Sequence, residues 1–392
     1  MVRTAFVSTY TPHRCGIATF THDLATAVGQ REIVALHPVG EPGPYPAEVR
    51  HRIRRDVLAD YGHVARALNA SGVGVVSIQH EYGIWGGDDG EYVLDFVRAL
   101  RMPAVATLHT VLRHPTFSQQ RILTELIDAA ARTVVMSQAA ASLLMRAYGV
   151  EPTRLEIVPH GVPHLPLVEP DSMKPRLGLG GRQVILSFGL LGPGKGYESA
   201  IAAMPAVVKA MPAASYVILG ATHPDLLHRE GEAYRRSLEA TAAALGVTDH
   251  VQFVDRFVDL VELGTWLEAA DIFVTPYPNL DQIVSGTLSY AMGAGKAIVS
   301  TPYAYACERL AQGRGRLVPA RSPDALAESL IGLLRDPELR ATLGRRAYEY
   351  SRGMIWSEVG AQYRRVFAGV ARAARSATPF VAPAQGVAAV GG

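Results

Sequence analysis

Residues 276–302 read PYPNLDQIVSGTLSYAMGAGKAIVSTP. They follow Asp271-Ile-Phe-Val-Thr275, whose β-branched and aromatic content predicts a buried strand. After a polar loop, Ser285-Gly286-Thr287 opens a short run of good helix formers, Leu288 to Ala294, closed by Gly295. Ala297-Ile-Val-Ser-Thr301 then predicts a second strand. Units of strand, loop, helix and strand build parallel sheets. Small residues at the helix start leave backbone N–H groups unpaired beside a positive partial charge, a place that suits phosphate. A packed turn without a ligand can use the same residues, so the rest of the chain must decide.

Upstream, Gln183–Phe188 predicts a strand, followed by Gly189-Leu-Leu-Gly-Pro-Gly-Lys195-Gly196 and a helix to about Ala210. This loop is not a Walker A motif, because Gly196 stands where a magnesium-binding hydroxyl belongs. A lysine between glycines at a strand-to-helix junction can still hold phosphate as a point charge. The chain has only four lysines, Lys174, Lys195, Lys209 and Lys296. Lys296, between Gly295 and a strand, reads as a capping residue at a helix C-terminus. Further strands are expected at Tyr216–Leu219, Val251–Val254, Ile298–Ser300 and Arg316–Val318. Helices follow at Pro323–Leu334, Asp336–Tyr350 and Trp356 to about Arg375. Residues 376–392 are Ala/Pro/Gly-rich and read as disordered.

The first half alternates in the same way. Strands are expected at Thr4–Ser8, Ile33–Leu36, Val73–Ile78, Ala104–Leu108 and Thr133–Met136. Helices are expected near Ile17–Val28, Asp56–Asn69, Glu91–Leu100, Gln119–Ala131 and Ala139–Tyr148. Gly16, at the mouth of the first strand–helix unit, lets backbone approach a ligand. Two strand ends carry chemistry: Gln79-His80-Glu81-Tyr82 and Thr107-Leu-His109. Ligands of open α/β sheets gather at such ends. Asp88-Asp89 sits in a glycine-rich loop without further metal ligands and reads as a solvated pair.

The 392 residues exceed one ordinary core, so two domains are expected. Hydrophobic content of 48% with 19% charged residues describes a compact fold, and a net charge of +2 gives no case for nucleic acid. No run of eighteen apolar residues exists to span a membrane, and Met1-Val-Arg-Thr leads straight into a strand without a signal-peptide pattern. Cys15 and Cys307 lie far apart and read as reduced thiols of a cytoplasmic protein.

Several motifs now converge. Gly189-Leu-Leu-Gly-Pro-Gly-Lys-Gly196 is similar to the G-R-L-x-x-x-K-G loop of retaining, GT-B-fold glycosyltransferases of family four. Ala269-Ala-Asp-Ile-Phe-Val-Thr-Pro276, Ala291-Met-Gly-Ala-Gly295 with the strand after it, Val158-Pro-His-Gly-Val162 and Thr107-Leu-His109 resemble that family's other signatures. The resemblance covers nearly the whole chain. Three positions depart from it: the family's paired glutamates fall on Gln282 and Tyr290, its diphosphate-binding arginine on Leu190, and its linker asparagine on His160.

The resemblance implies an α/β, GT-B architecture: two Rossmann-like, doubly wound domains facing across a cleft, residues 1–165 on the acceptor side and 175–355 on the nucleotide-sugar side. A helix over 356–375 would pack back on the first domain. It implies retaining transfer of a hexose from a nucleotide-diphosphate sugar to a glycan or small-molecule hydroxyl, without metal or other cofactor. GDP-mannose is slightly favoured over UDP-glucose. Lys195 and the N–H groups of Ser285, Gly286 and Thr287 would hold the leaving diphosphate, with Gly16 beside it. Gln282 would bond the sugar hydroxyls, His109 would position the sugar, and Tyr290 would stand at the ribose. His80, Glu81 and Tyr82 are the candidates for acceptor contact. Another GT-B enzyme, such as a nucleotide-sugar epimerase, and a non-catalytic sugar-nucleotide-binding protein are the rival readings.

Overall fold

The computed structural model describes residues 2–30, 32–37 and 44–377. The first half runs β1 (Thr4–Thr9), α1 (Gly16–Val28), β2 (Glu32–His37), β3 (Val49–Arg54), α2 (Leu58–Asn69) and β4 (Val75–His80). It continues with α3 (Tyr92–Ala99), β5 (Ala104–Leu108), α4 (Phe117–Ala129), β6 (Arg132–Val135), α5 (Gln138–Ala147) and β7 (Leu155–Ile157). These strands pair in parallel in the order β3-β2-β1-β4-β5-β6-β7.

The second half runs β8 (Gln183–Phe188), α6 (Tyr197–Ala210), β9 (Ala214–Leu219), α7 (Pro224–Glu230), α8 (Ala233–Ala244), β10 (Val251–Val254) and α9 (Leu260–Ala269). Then come β11 (Ile272–Thr275), α10 (Gly286–Gly293), β12 (Ala297–Ser300), α11 (Ala304–Arg309) and β13 (Arg316–Leu317). Three helices close it: α12 (Pro323–Arg335), α13 (Pro337–Ser351) and α14 (Trp356–Ala377). The second sheet is also parallel, in the order β10-β9-β8-β11-β12-β13.

The central strands of both sheets are buried on both faces, which is why they read as continuous apolar runs. Ala5 and Val7 of β1 enter one core cluster while Phe6 between them enters another. Ile185 and its neighbours Val184 and Leu186 divide between two clusters in the same way. In each sheet the strand order reverses once, between β1 and β4 and between β8 and β11. Crevices open at the carboxyl ends of strands at such reversals.

The chain crosses between the halves twice, and the crossings touch: Val162 bridges Ile355 in parallel. The Trp356 ring lies so close over Gly161 that any side chain there would fall 2.2 Å from it. Helix α14 then lies on the first domain. Tyr363 Oη is 3.1 Å from Thr107 Oγ1, and Phe367 meets Phe6 edge-on at 6.1 Å. Gly360 rests against the Ala27 carbonyl, where a Cβ would come within 2.5 Å.

The structure adds elements that the sequence did not suggest. β3 is an edge strand of sequence VRHRIR in which only Ile53 is fully buried, so its polar alternation hid it. β7, α7, α8, α9 and α11 were likewise not assigned. Helix α14 extends to Ala377, past the expected end; the expected disorder of the remaining tail lies outside the described residues. Lys296 does cap a helix, but not its own: its buried Nζ donates to the carbonyls of Glu268 and Ala270 at the end of α9, at 3.1 and 3.3 Å. No helix among the described residues is long and apolar enough to cross a membrane.

Candidate functional site

The carboxyl ends of the two sheets face one cavity of about 770 Å³. Gly16, Glu81 and His109 line it from the first domain; Lys195, Gln282 and Thr287 line it from the second.

The phosphate-suited end is built by α10. Ser285 takes extended backbone angles as its N-cap, and Ser285 Oγ accepts from the Leu288 N–H at 3.3 Å. The N–H groups of Gly286 and Thr287 precede the first intrahelical bonds and sit at the cavity. Thr287 Oγ1 is held between Ser285 Oγ at 3.1 Å and Tyr277 Oη at 2.7 Å. Position 286 has no room for a side chain, since a Cβ there would lie 2.9 Å from His160 Nε2.

The glycine loop before α6 packs directly on this unit. Gly196 has φ +70°, and a Cβ on it would lie 2.0 Å from the Pro276 carbonyl oxygen. The loop therefore presses against the exit of β11, and Lys195 Nζ stands 4.7 Å from the centroid of the Tyr277 ring. Leu190 also lines the cavity. Of the arginines there, Arg55 is held by Asp56 at 3.1 Å and Arg256 by Glu262 at 2.7 Å. Arg14 lies 6.0 Å over the Phe257 ring, with no carboxylate partner among the described residues.

Gln282 reaches the cavity, and its Nε2 donates to the Val284 carbonyl at 2.8 Å, which fixes the carboxamide to its own loop. His109 Nε2 is 3.0 Å from Gln79 Oε1, while Gln79 Nε2 donates to Ser77 Oγ. Gln79 Oε1 can only accept, so His109 carries its proton on Nε2 and keeps Nδ1 as an acceptor. Burial pushes the His109 pKa down to about 3, and the neighbouring imidazoles of His160 and His80 push the same way. Its ring meets Phe20 edge-on at 4.8 Å.

Three placements differ from the sequence reading. Tyr290 lines the cavity, but its hydroxyl donates to Asp23 Oδ2 of α1 at 3.0 Å, so the phenol is committed across the domains instead of standing free for a ribose. His80 is fully buried, does not line the cavity, and neither ring nitrogen has a partner among the described residues. Burial alone lowers its pKa to about 4. Tyr82 is also turned inward, donating to the Gln119 carbonyl at 3.2 Å. Of the three acceptor candidates only Glu81 meets the cavity. Burial raises its pKa, opposed by bonds from the Thr110 hydroxyl and the Tyr82 N–H. Gly16 opens α1 at the cavity, capped by Cys15 Sγ, which accepts from the Ala18 N–H at 3.3 Å.

Sequence reasoning gave no role to His160, Tyr277 or Asp23. His160 Nδ1 donates to the Gly161 carbonyl at 2.7 Å, leaving the Nε2 lone pair beside Gly286. Burial lowers its pKa to about 4. The only sequence signal was its place in the linker motif. Among the described residues no group of three or more His, Cys, Asp or Glu could hold a metal ion. Asp89 instead accepts from Gln119 Nε2 at 3.2 Å, at the start of α4.

Comparison with known proteins now decides the family. Residues 170–350 match the family described as Glycosyl transferases group 1, and residues 14–164 match Glycosyltransferase Family 4. The chain belongs to the group 1 glycosyltransferases. It is an enzyme of this class, as its curated relatives are. It is 29% identical to the phosphatidyl-myo-inositol mannosyltransferase of Mycolicibacterium smegmatis, over 71% of this chain and 68% of that one. It is 25% identical to the D-inositol 3-phosphate glycosyltransferase of Kribbella flavida, over 80% and 76%. Solved structures share the fold of this glycosyltransferase. Anabaena HepE in complex with UDP and glucose superposes with a TM-score of 0.77 at 16% identity, covering 94% of this chain and 100% of that one. Sucrose-phosphate synthase from Thermosynechococcus elongatus gives 0.76 at 18%, with the same coverage.

Proposed function

We propose that this glycosyltransferase moves a hexose from a nucleotide-diphosphate sugar to an acceptor hydroxyl, with retention and without a metal. The donor is GDP-mannose in preference to UDP-glucose. The observation that carries the reading is the shared wall of Lys195 and the α10 N-terminus, opposite His109 in one interdomain cavity. One ammonium and two free N–H groups converge where a diphosphate gains charge as the glycosidic bond breaks. The C–O bond to the diphosphate breaks, the acceptor oxygen bonds the anomeric carbon, and the acceptor proton goes to a departing phosphate oxygen. His109 stays neutral and offers Nδ1 to a sugar hydroxyl, and Gln282 meets the sugar from its loop. Glu81 meets the acceptor. The mannosyl and inositol-phosphate names of the relatives support mannose as donor sugar and a polyol as acceptor.

Nucleotide release from GDP-mannose, UDP-glucose and their congeners, with and without polyol acceptors, tests the donor. The anomeric coupling of the product tests retention. Rates with a chelator should stay within about twofold of untreated enzyme, because the cations of the site are side chains. Loss of activity on chelation, restored by magnesium or manganese, sinks the metal-free reading.

A further inference from the structure

We propose that Tyr277 is a positioning residue that ties Lys195 to the N-terminus of α10, making the two phosphate-facing elements one rigid unit. The proposal rests on the reading of that wall as the diphosphate site. Tyr277 does not line the cavity and is 3% exposed, so it acts through others. The face of its ring stands 4.7 Å from Lys195 Nζ, and its hydroxyl lies 2.7 Å from Thr287 Oγ1. Thr287 in turn meets the N-cap oxygen of Ser285 at 3.1 Å. One side chain therefore touches the cation of one loop and the helix start of another.

Tyr277 is itself fixed from behind. Its ring stacks on the fully buried Tyr303 at 5.2 Å and 22°, and its carbonyl accepts from Thr301 Oγ1 at 2.6 Å. Tyr303 donates to Thr275 Oγ1 at 3.3 Å, which anchors the stack to the end of β11. A ring face is also the right partner for this lysine. A carboxylate would cancel its charge, whereas an aromatic quadrupole holds the ammonium and leaves the charge in place for phosphate. Lys195 has no carboxylate partner among the described residues. Lysine otherwise sits on a flexible stem of many rotamers, so a fixed ring beneath it concentrates the ammonium where charge develops.

The test is a double-mutant cycle on the full chain, read as nucleotide release with separate kcat and donor KM. Tyr277→Leu should lower kcat by about tenfold or more while donor KM stays within about threefold, because the loss falls on transition-state charge. Tyr277→Phe keeps the ring beside Lys195 but cuts the hydroxyl's tie to Thr287, so its loss of kcat should fall between wild type and Tyr277→Leu. In a Lys195→Ala background, Tyr277→Leu should cost several-fold less than in the wild type, since one of the two groups it positions is gone. Melting curves check each variant, and Tyr277→Met, unbranched and of similar reach, replaces Leu if that variant does not fold. An equal loss from Tyr277→Leu in both backgrounds overturns the proposal and leaves the diphosphate site standing. Full activity of Lys195→Ala instead removes the site reading itself.

Discussion

The Tyr290 hydroxyl donates to Asp23 Oδ2 at 3.0 Å, joining α10 of the second domain to α1 of the first over 267 residues of sequence. Burial raises the pKa of both groups, and the phenol's bond to Asp23 partly offsets this for the carboxyl. Asp23→Ala would leave the Tyr290 hydroxyl unpaired at the domain junction, and should cost about 1–3 kcal/mol of stability. Tyr290→Phe removes the donor with little change of shape. Denaturant titration of the two variants and the wild type checks this, and equal midpoints for all three would show that the bond contributes nothing to closure.

Lys195→Ala should lower kcat by about a hundredfold or more, in the range seen when one oxyanion donor is removed, with a smaller effect on donor binding. Leu190 is uncharged and Arg55 and Arg256 are held by carboxylates, so of the cavity's cations only Lys195 and Arg14 are without a carboxylate partner among the described residues. Lys195→Arg should recover only part, since a planar fork does not replace an ammonium between Gly194 and Gly196. Initial rates and donor titration on folded variants decide it.

Gln282→Ala should weaken transfer by about 1–3 kcal/mol through lost hydrogen bonding to the donor sugar. Gln282→Glu should retain more activity than Ala, although it loses the donation to the Val284 carbonyl that now orients the side chain. Equal kcat/KM for Ala and wild type would remove Gln282 from the site.

Three buried imidazoles set an acid limit on the fold. Burial lowers His109 to about 3 and His80 and His160 to about 4, against about 6.5 in an unfolded chain. Between these values the unfolded chain binds protons that the folded one refuses. The stability they confer is complete above pH 6.5 and is lost as pH falls through 6.5 towards 4. Each contributes a slope of up to about 1.4 kcal/mol per pH unit. His80→Met removes an unpartnered ring outside the cavity and should reduce the combined slope by about one third. Denaturant midpoints at several pH values measure it; an unchanged slope would mean that His80 titrates alike in both states.

The sequence made legible what is local. Glycines around a rare lysine at the end of β8, small residues at the start of α10 and a histidine at the end of β5 all announce themselves within a few residues. Partnerships between distant segments do not. Nothing in the run His80-Glu81-Tyr82 says which side chain turns outward; the structure turns Glu81 to the cavity and the other two into the core. Tyr290 looked like a ribose contact because its partner Asp23 lies in the other domain. Edge strand β3 escaped notice because a solvated edge carries polar residues where a central strand carries apolar ones.

Gly286 and His160 give the sharpest steric prediction. The Nε2 of His160 would sit 2.9 Å from a Cβ at position 286, closer than nonbonded carbon and nitrogen atoms tolerate. His160 cannot easily retreat: its Nδ1 donates to the Gly161 carbonyl at 2.7 Å, and its ring is packed against Phe20, Tyr290 and Trp356 at 5.1, 6.0 and 6.0 Å. Gly286→Ala should therefore shift the start of α10, whose N–H groups face the cavity, and raise the donor Kd by about tenfold. Much of this loss should return in Gly286→Ala combined with His160→Ala, which clears the imidazole. His160→Ala alone leaves a cavity and should cost stability while sparing the helix start. Donor titration by calorimetry on the three variants separates the cases. If the double variant binds no better than Gly286→Ala, then it is the glycine's backbone, and not the imidazole opposite, that the site requires.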